Sequence, residues 1–92
     1  MAAFEWDAQK AEDNQRKHGV SFEDARSIFG DMNALTFYDG EHSDDEVRFL
    51  TVGFADSGIL LVVVHTDRGD TTRLISARPA TSREGLAYAN RR

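Results

Sequence analysis

The run Ile59-Leu60-Leu61-Val62-Val63-Val64 constrains this chain more than any other segment. It is far too short to span a membrane. It follows the turn residues Asp56-Ser57-Gly58, and Arg68-Gly69-Asp70 closes its polar continuation. Such a segment reads as a strand over 59–67. It lacks polar alternation, so it predicts a central strand covered on both faces. Tight turns at 56–58 and 68–70 make its neighbours antiparallel strands, at 46–55 and 71–78. A further strand is expected at 34–38, where Thr36, Phe37 and Tyr38 favour extended backbone. Pro79 stops the ladder.

The rest of the chain supplies helices. Asp7 is a good N-cap for a polar helix over 8–17, and Gly19 suits the left-handed position that ends it. Ser21 caps a second helix over 22–29, with Asp24 as a carboxylate version of a capping box. There Phe22, Ala25, Ile28 and Phe29 form one apolar stripe. Thr81 and Glu84 make a capping box for a final helix over 82–90. Phe4-Glu5-Trp6 reads as a short extended lead-in. The whole, residues 1–92, is one domain. It is α+β, with two N-terminal helices, a four-stranded antiparallel sheet and a C-terminal helix.

Composition is that of an ordinary globular protein, 40% hydrophobic and 29% charged. The absence of cysteine excludes a disulfide framework and thiolate metal sites, and suits a reducing cytoplasm. There is no secretory signal pattern. The net charge of −5 argues mildly against nucleic-acid binding, but its distribution argues for it. Residues 39–46 hold five carboxylates and no Lys or Arg, whereas residues 68–92 hold six arginines against two carboxylates. Guanidinium forks match phosphate geometry.

Three histidines are available for proton transfer: His18, His42 and His65. His18 has the strongest context, beside Lys17 at a helix C-terminus where carbonyls favour cations. With three-residue turns at both hairpins, Phe49, His65 and Arg73 form one row across three strands. Thr51, Val63 and Ile75 form the next. The opposite face, with Leu50, Val52, Phe54, Leu60, Val62, Val64 and Leu74, should then receive the helices. His42 sits in the acidic loop and reads as solvated. That loop's spacing fits no defined metal motif, so no metal or cofactor is expected. Trp6 reads as a core plug. Tyr88 could stack a base or pack its helix.

Taken in order, several pieces resemble the BrnT family of toxins from bacterial type II toxin–antitoxin systems. They are Phe4-Glu5-Trp6-Asp7, Lys10, Asn14, Lys17-His18-Gly19-Val20-Ser21-Phe22-Glu23, Phe29, Asp31, Asp39, Arg48, Leu60 to Val64, Arg68-Gly69, Arg73 to Arg78, Glu84 and Tyr88. Met32-Asn33 replaces a proline common in the family, and Gly85 weakens the last helix by about 1 kcal/mol.

The resemblance implies a RelE-like fold and a ribonuclease that blocks translation. It also implies a BrnA-type antitoxin with a ribbon-helix-helix part, through which alone the complex would meet operator DNA. On this reading His18 and His65 are the proton-transfer candidates, and Lys17, Arg73 and Arg78 stabilise the phosphate. Arg68, Arg83 and Tyr88 hold RNA. The competing expectation is a non-enzymatic protein-binding module whose helix-free sheet face docks a partner.

Overall fold

The structure, a computed structural model, describes residues 3–40 and 46–91. Its elements are β1 (Ala3–Glu5), α1 (Ala8–His18), α2 (Phe22–Arg26), a 3-10 turn (Ser27–Gly30), β2 (Leu35–Tyr38), β3 (Phe49–Phe54), β4 (Leu60–Arg68), β5 (Thr71–Pro79) and α3 (Ser82–Ala89). The strands form one sheet in the order β1-β5-β4-β3-β2. The α+β class therefore holds, but the sheet has five strands and is mixed. β1 runs parallel to β5, pairing Phe4 with Thr72 and Glu5 with Arg73. Three residues carry too little periodicity to announce a strand, and their partner lies at the other end of the chain.

The caps behave as their chemistry predicts. Asp7 accepts from the N–H groups of Gln9 and Lys10, and Gly19 ends α1 at φ 69°. Ser21 accepts from the N–H of Asp24. The Asp24 carboxylate instead reaches the β3–β4 hairpin, accepting from Ser57 Oγ at 2.6 Å. Beside it, Ser27 Oγ accepts from the Asp56 N–H at 2.8 Å. This docking accounts for the tighter 3-10 turn where a longer α-helix was expected. Gly53 completes the approach, since a Cβ there would come within 3.2 Å of Ile28 and Ala34.

β4 is the central strand, and both its faces are covered as its composition requires. Leu61 and Val63 join Val20, Phe22, Ala25, Ile28, Leu74 and Ala77 in a core beneath α1 and α2. Val62 faces the other way and packs with Val52 and Tyr88 of α3. The expected assignment of faces is thus corrected. The N-terminal helices lie on the Thr51, Val63 and His65 side, and Leu74 belongs to that side as well. The face of Leu50, Val52, Val62 and Val64 receives only α3.

The β3–β4 hairpin has the expected register, with Phe54 opposite Leu60 and Phe49 opposite His65. The β4–β5 hairpin is one residue tighter. Arg68 pairs with Thr71, so Gly69-Asp70 form a two-residue turn with Gly69 at φ 62°. His65 therefore pairs with Leu74, and Arg73 pairs with Thr66. The row Phe49, His65, Arg73 does not exist, because a one-residue slip turns every side chain over. Further along, the register shifts again between Val64 and His65, leaving Ile75 as an extra residue in β5.

Beyond β1, the outer edge of β5 is sealed by a side chain. Asn14 of α1 accepts from the Ala77 N–H at 3.0 Å and donates to the Ala77 carbonyl at 2.8 Å. Its amide also donates to the Val20 carbonyl at 2.9 Å. Asn14 is buried and does for Ala77 what a neighbouring strand would do. Asn14→Ala is expected to lower unfolding free energy by about 2–4 kcal/mol, since it orphans buried backbone groups. Urea unfolding followed by far-UV circular dichroism measures this; a loss within about 0.5 kcal/mol, the range of ordinary surface changes, contradicts it.

Candidate functional site

α3 covers only part of its sheet face. Beside it lies an open groove of about 400 Å³, lined by Asp39, Arg48, Leu50, Val64, Ile75, Ser76 and Arg78. Register explains the floor. Phe37, Leu50, Val64 and Ser76 are successive partners across β2, β3, β4 and β5. The next row, Leu35, Val52, Val62 and Arg78, passes under α3. On the other side of the floor, Thr66, Arg73 and Glu5 form a row across β4, β5 and β1.

Arg73 and Arg78 share this face only because of the bulge. Their spacing is odd, so a regular strand would set them on opposite faces. The extra residue at Ile75 shifts the alternation and brings both to the groove side.

Each arginine is held by a carboxylate. Arg78 Nη1 and Nη2 donate to the two Glu84 oxygens, both at 2.7 Å. This pairing lowers the Glu84 carboxyl to about 2, aided by the Thr81 N–H. The same contact raises the Arg78 guanidinium above its ordinary value. Arg73 donates to Glu5 at 2.6 Å, and Arg68 to Glu46 at 3.1 Å. Arg83 is exposed on α3.

Tyr88 is packed inward. Its hydroxyl donates to Asp31 Oδ2 at 2.6 Å, its ring meets Phe54 edge-on, and Arg91 lies over it. The bond to Asp31 raises the phenol, while Asp31 is lowered mainly by the Phe54 N–H and then by Tyr88.

Lys17 and His18 sit across β5 from this groove. With Lys10, Asp13 and Asn14 they line a smaller cavity of about 180 Å³ that also contains Ile75 and Ser76. The bulge therefore borders both hollows, with Lys17 and His18 on one side and Arg48 and Arg78 on the other.

His65 lies elsewhere. It is 3% exposed on the helix-covered face. Nε2 is 2.7 Å from Thr51 Oγ1, and Nδ1 is 3.0 Å from Asp67. Its ring packs against Phe29 and Phe49. Trp6 packs edge-on against Phe22, as a core plug does. His42 and most of the acidic loop lie outside the described residues. Among the described residues no three His, Asp or Glu side chains gather in a way that could hold a metal ion.

Arg48, Asp39, Ser76 and Lys10 are lining residues absent from the sequence-derived site. A signal for Arg48 existed: it stands two residues from Leu50 and so shares its face. Ser76 carried none, because its orientation depends on the bulge.

The model of the family described as "Ribonuclease toxin, BrnT, of type II toxin-antitoxin system" matches residues 6–84. The crystal structure of the Brucella abortus ribonuclease toxin, BrnT, superimposes with a TM-score of 0.67 at 24% identity. The match covers 89% of this chain and 100% of that one. At this identity the likeness establishes a shared fold. No curated protein sequence matches the chain.

His65 yields a pH prediction. Burial lowers its pKa from the ordinary 6.5, and the Asp67 contact offsets this only in part. The unfolded chain therefore binds the proton more readily than the folded one does. Stability should fall as pH drops through 6.5 toward the lower folded value. Urea midpoints measured across this range should decline in the parent and decline less in His65→Gln. Equal slopes in the two proteins contradict the assignment.

Proposed function

Because the chain belongs to the BrnT family of ribonuclease toxins of type II toxin–antitoxin systems, we propose that it cleaves RNA laid across the open groove beside α3. The observation that carries this placement is the convergence of Arg48 and Arg78 on one groove, with Arg73 on the same face. Cleavage is metal-independent on this reading. The substrate's 2′-hydroxyl attacks the adjacent phosphorus, the 5′-oxygen leaves, and a 2′,3′-cyclic phosphate forms. Such a step needs a base, an acid and cations against the added phosphorane charge.

Arg78 and Arg48 supply that charge at the groove, and Arg73 extends it. Lys17 and His18 act from across the bulge, His18 as the proton-transfer group. His65 serves as a buried support, since Nε2 is engaged by Thr51 in the core and Nδ1 by Asp67 at its margin. Arg68 and Arg83, both exposed, hold the RNA backbone. Tyr88 serves by anchoring α3 through Asp31.

The fold is taken as RelE-like and the cellular outcome as inhibition of translation in the cytoplasm. No helix of the described residues is long and apolar enough to cross a membrane. The partner is a BrnA-type antitoxin whose ribbon-helix-helix part carries operator binding.

Purified protein should cleave end-labelled RNA in EDTA. Arg78→Ala should slow this by about 10²–10³-fold, the scale of losing one transition-state donor, and His18→Ala should also slow it. Both variants must first show parental circular dichroism. Cleavage at parental rates by both variants rules out this site, and activity that requires added Mg²⁺ rules out the metal-free mechanism.

A further inference from the structure

Arg78 does not lie loose on the groove wall. Its two Nη groups grip the two oxygens of Glu84, and Nη1 also reaches the Pro79 carbonyl at 3.3 Å. Those bonds occupy three of the five guanidinium N–H groups and leave Nε–H with one Nη2–H. The remaining two are neighbours on one edge of the guanidinium plane. They form a second fork, of the kind that takes two oxygens of a phosphate.

Glu84 is itself immobilised. Its Oε1 accepts from the Thr81 N–H at 2.8 Å, and the Glu84 N–H donates to Thr81 Oγ1 at 3.2 Å. The carboxylate that closes the α3 capping box therefore also fixes the Arg78 plane. At its far end α3 is pinned by Tyr88 to Asp31. The chain of contacts runs from a helix cap to a cation on the groove wall.

We propose that Glu84 is a positioning residue: it occupies one fork of Arg78 so that the other is presented, in a fixed plane, to a phosphate in the groove. This rests on the placement of the RNA site given above. It adds a role for a carboxylate that, by charge alone, would only weaken RNA binding. A fixed guanidinium loses less freedom when it meets the phosphate, and it is already oriented for the charge that develops there.

The closing experiment uses two readouts. The first is the NMR signal of the Arg78 Nε–H during titration with a non-cleavable oligonucleotide carrying 2′-O-methyl riboses. The parent should show a saturable shift of this signal. Glu84→Gln should abolish or greatly reduce it at the same oligonucleotide concentrations, and Glu84→Asp should restore part of it.

The second readout is RNA cleavage. Glu84→Gln should lower kcat by about tenfold or more with a smaller change in KM, as expected when transition-state charge stabilisation is lost. In an Arg78→Ala background the same change should cost almost nothing further. Thr81→Ala removes the Oγ1 that accepts from the Glu84 N–H but keeps the residue-81 N–H that holds Glu84 Oε1, so Glu84 still grips Arg78 and cleavage should stay near the parental rate.

A parental Arg78 shift in Glu84→Gln overturns the proposal, as does no Arg78 shift in the parent. An equal Glu84→Gln loss with and without Arg78 overturns it as well, because that pattern belongs to a purely structural cap. If the shift is present and Glu84-dependent while the parent cleaves no RNA, the positioning role stands and the ribonuclease reading is the one that fails.

Discussion

The rest of the structure depends on β4 being apolar on both sides. Leu61, Val62 and Val63 are each at most 1% exposed, and burying each such side chain stabilises the fold by roughly 1.5–3 kcal/mol. A strand of this kind cannot sit at an edge. It demands a neighbour on each side and a layer on each face. β3 and β5 provide the first, and α1 with α2 on one face and α3 on the other provide the second.

The two layers are unequal, and the inequality creates the groove. Two helices and a 3-10 turn fill one face. A single eight-residue helix cannot fill the other. The part it leaves open has an apolar floor of Leu50 and Val64 with arginines on its walls. The carboxylates Glu5, Glu46 and Glu84 hold Arg73, Arg68 and Arg78 in place on or near that face. An acidic chain can thus hold arginines at a groove, fixed in position by the carboxylates that pair with them.

Polar side chains do much of the fastening between elements. Asn14 seals the β5 edge, Asp24 and Ser27 clasp the β3–β4 hairpin, and Asp31 ties Tyr88 to the β3 backbone. In a small domain these contacts fix how the layers meet, where apolar contact alone would tolerate sliding. Each joins residues far apart in the chain. None is marked by a local pattern.

Local sequence determined the three helices and four of the five strands in their order, because caps, turn residues and the apolar run are short-range signals; β1, three residues long, carried none. Asp7, Gly19, Ser21 and the Thr81–Glu84 box set three helix starts and one helix end where the residue types require them. The arginine-rich C-terminal part of the chain and the helix-terminal Lys17-His18 pair were legible for the same reason. Only tertiary structure decided which side chains share a face. The two-residue turn at Gly69-Asp70 reversed the expected partner of His65, and the bulge at Ile75 restored alternation to the other side, joining Arg73 to Arg78. A strand's pattern is the same for either register, so the choice falls to packing against α1, α2 and α3. That is why Ser76 came to the groove beside Arg78, while His65 went into the core because α1 and α2 cover its face of β4.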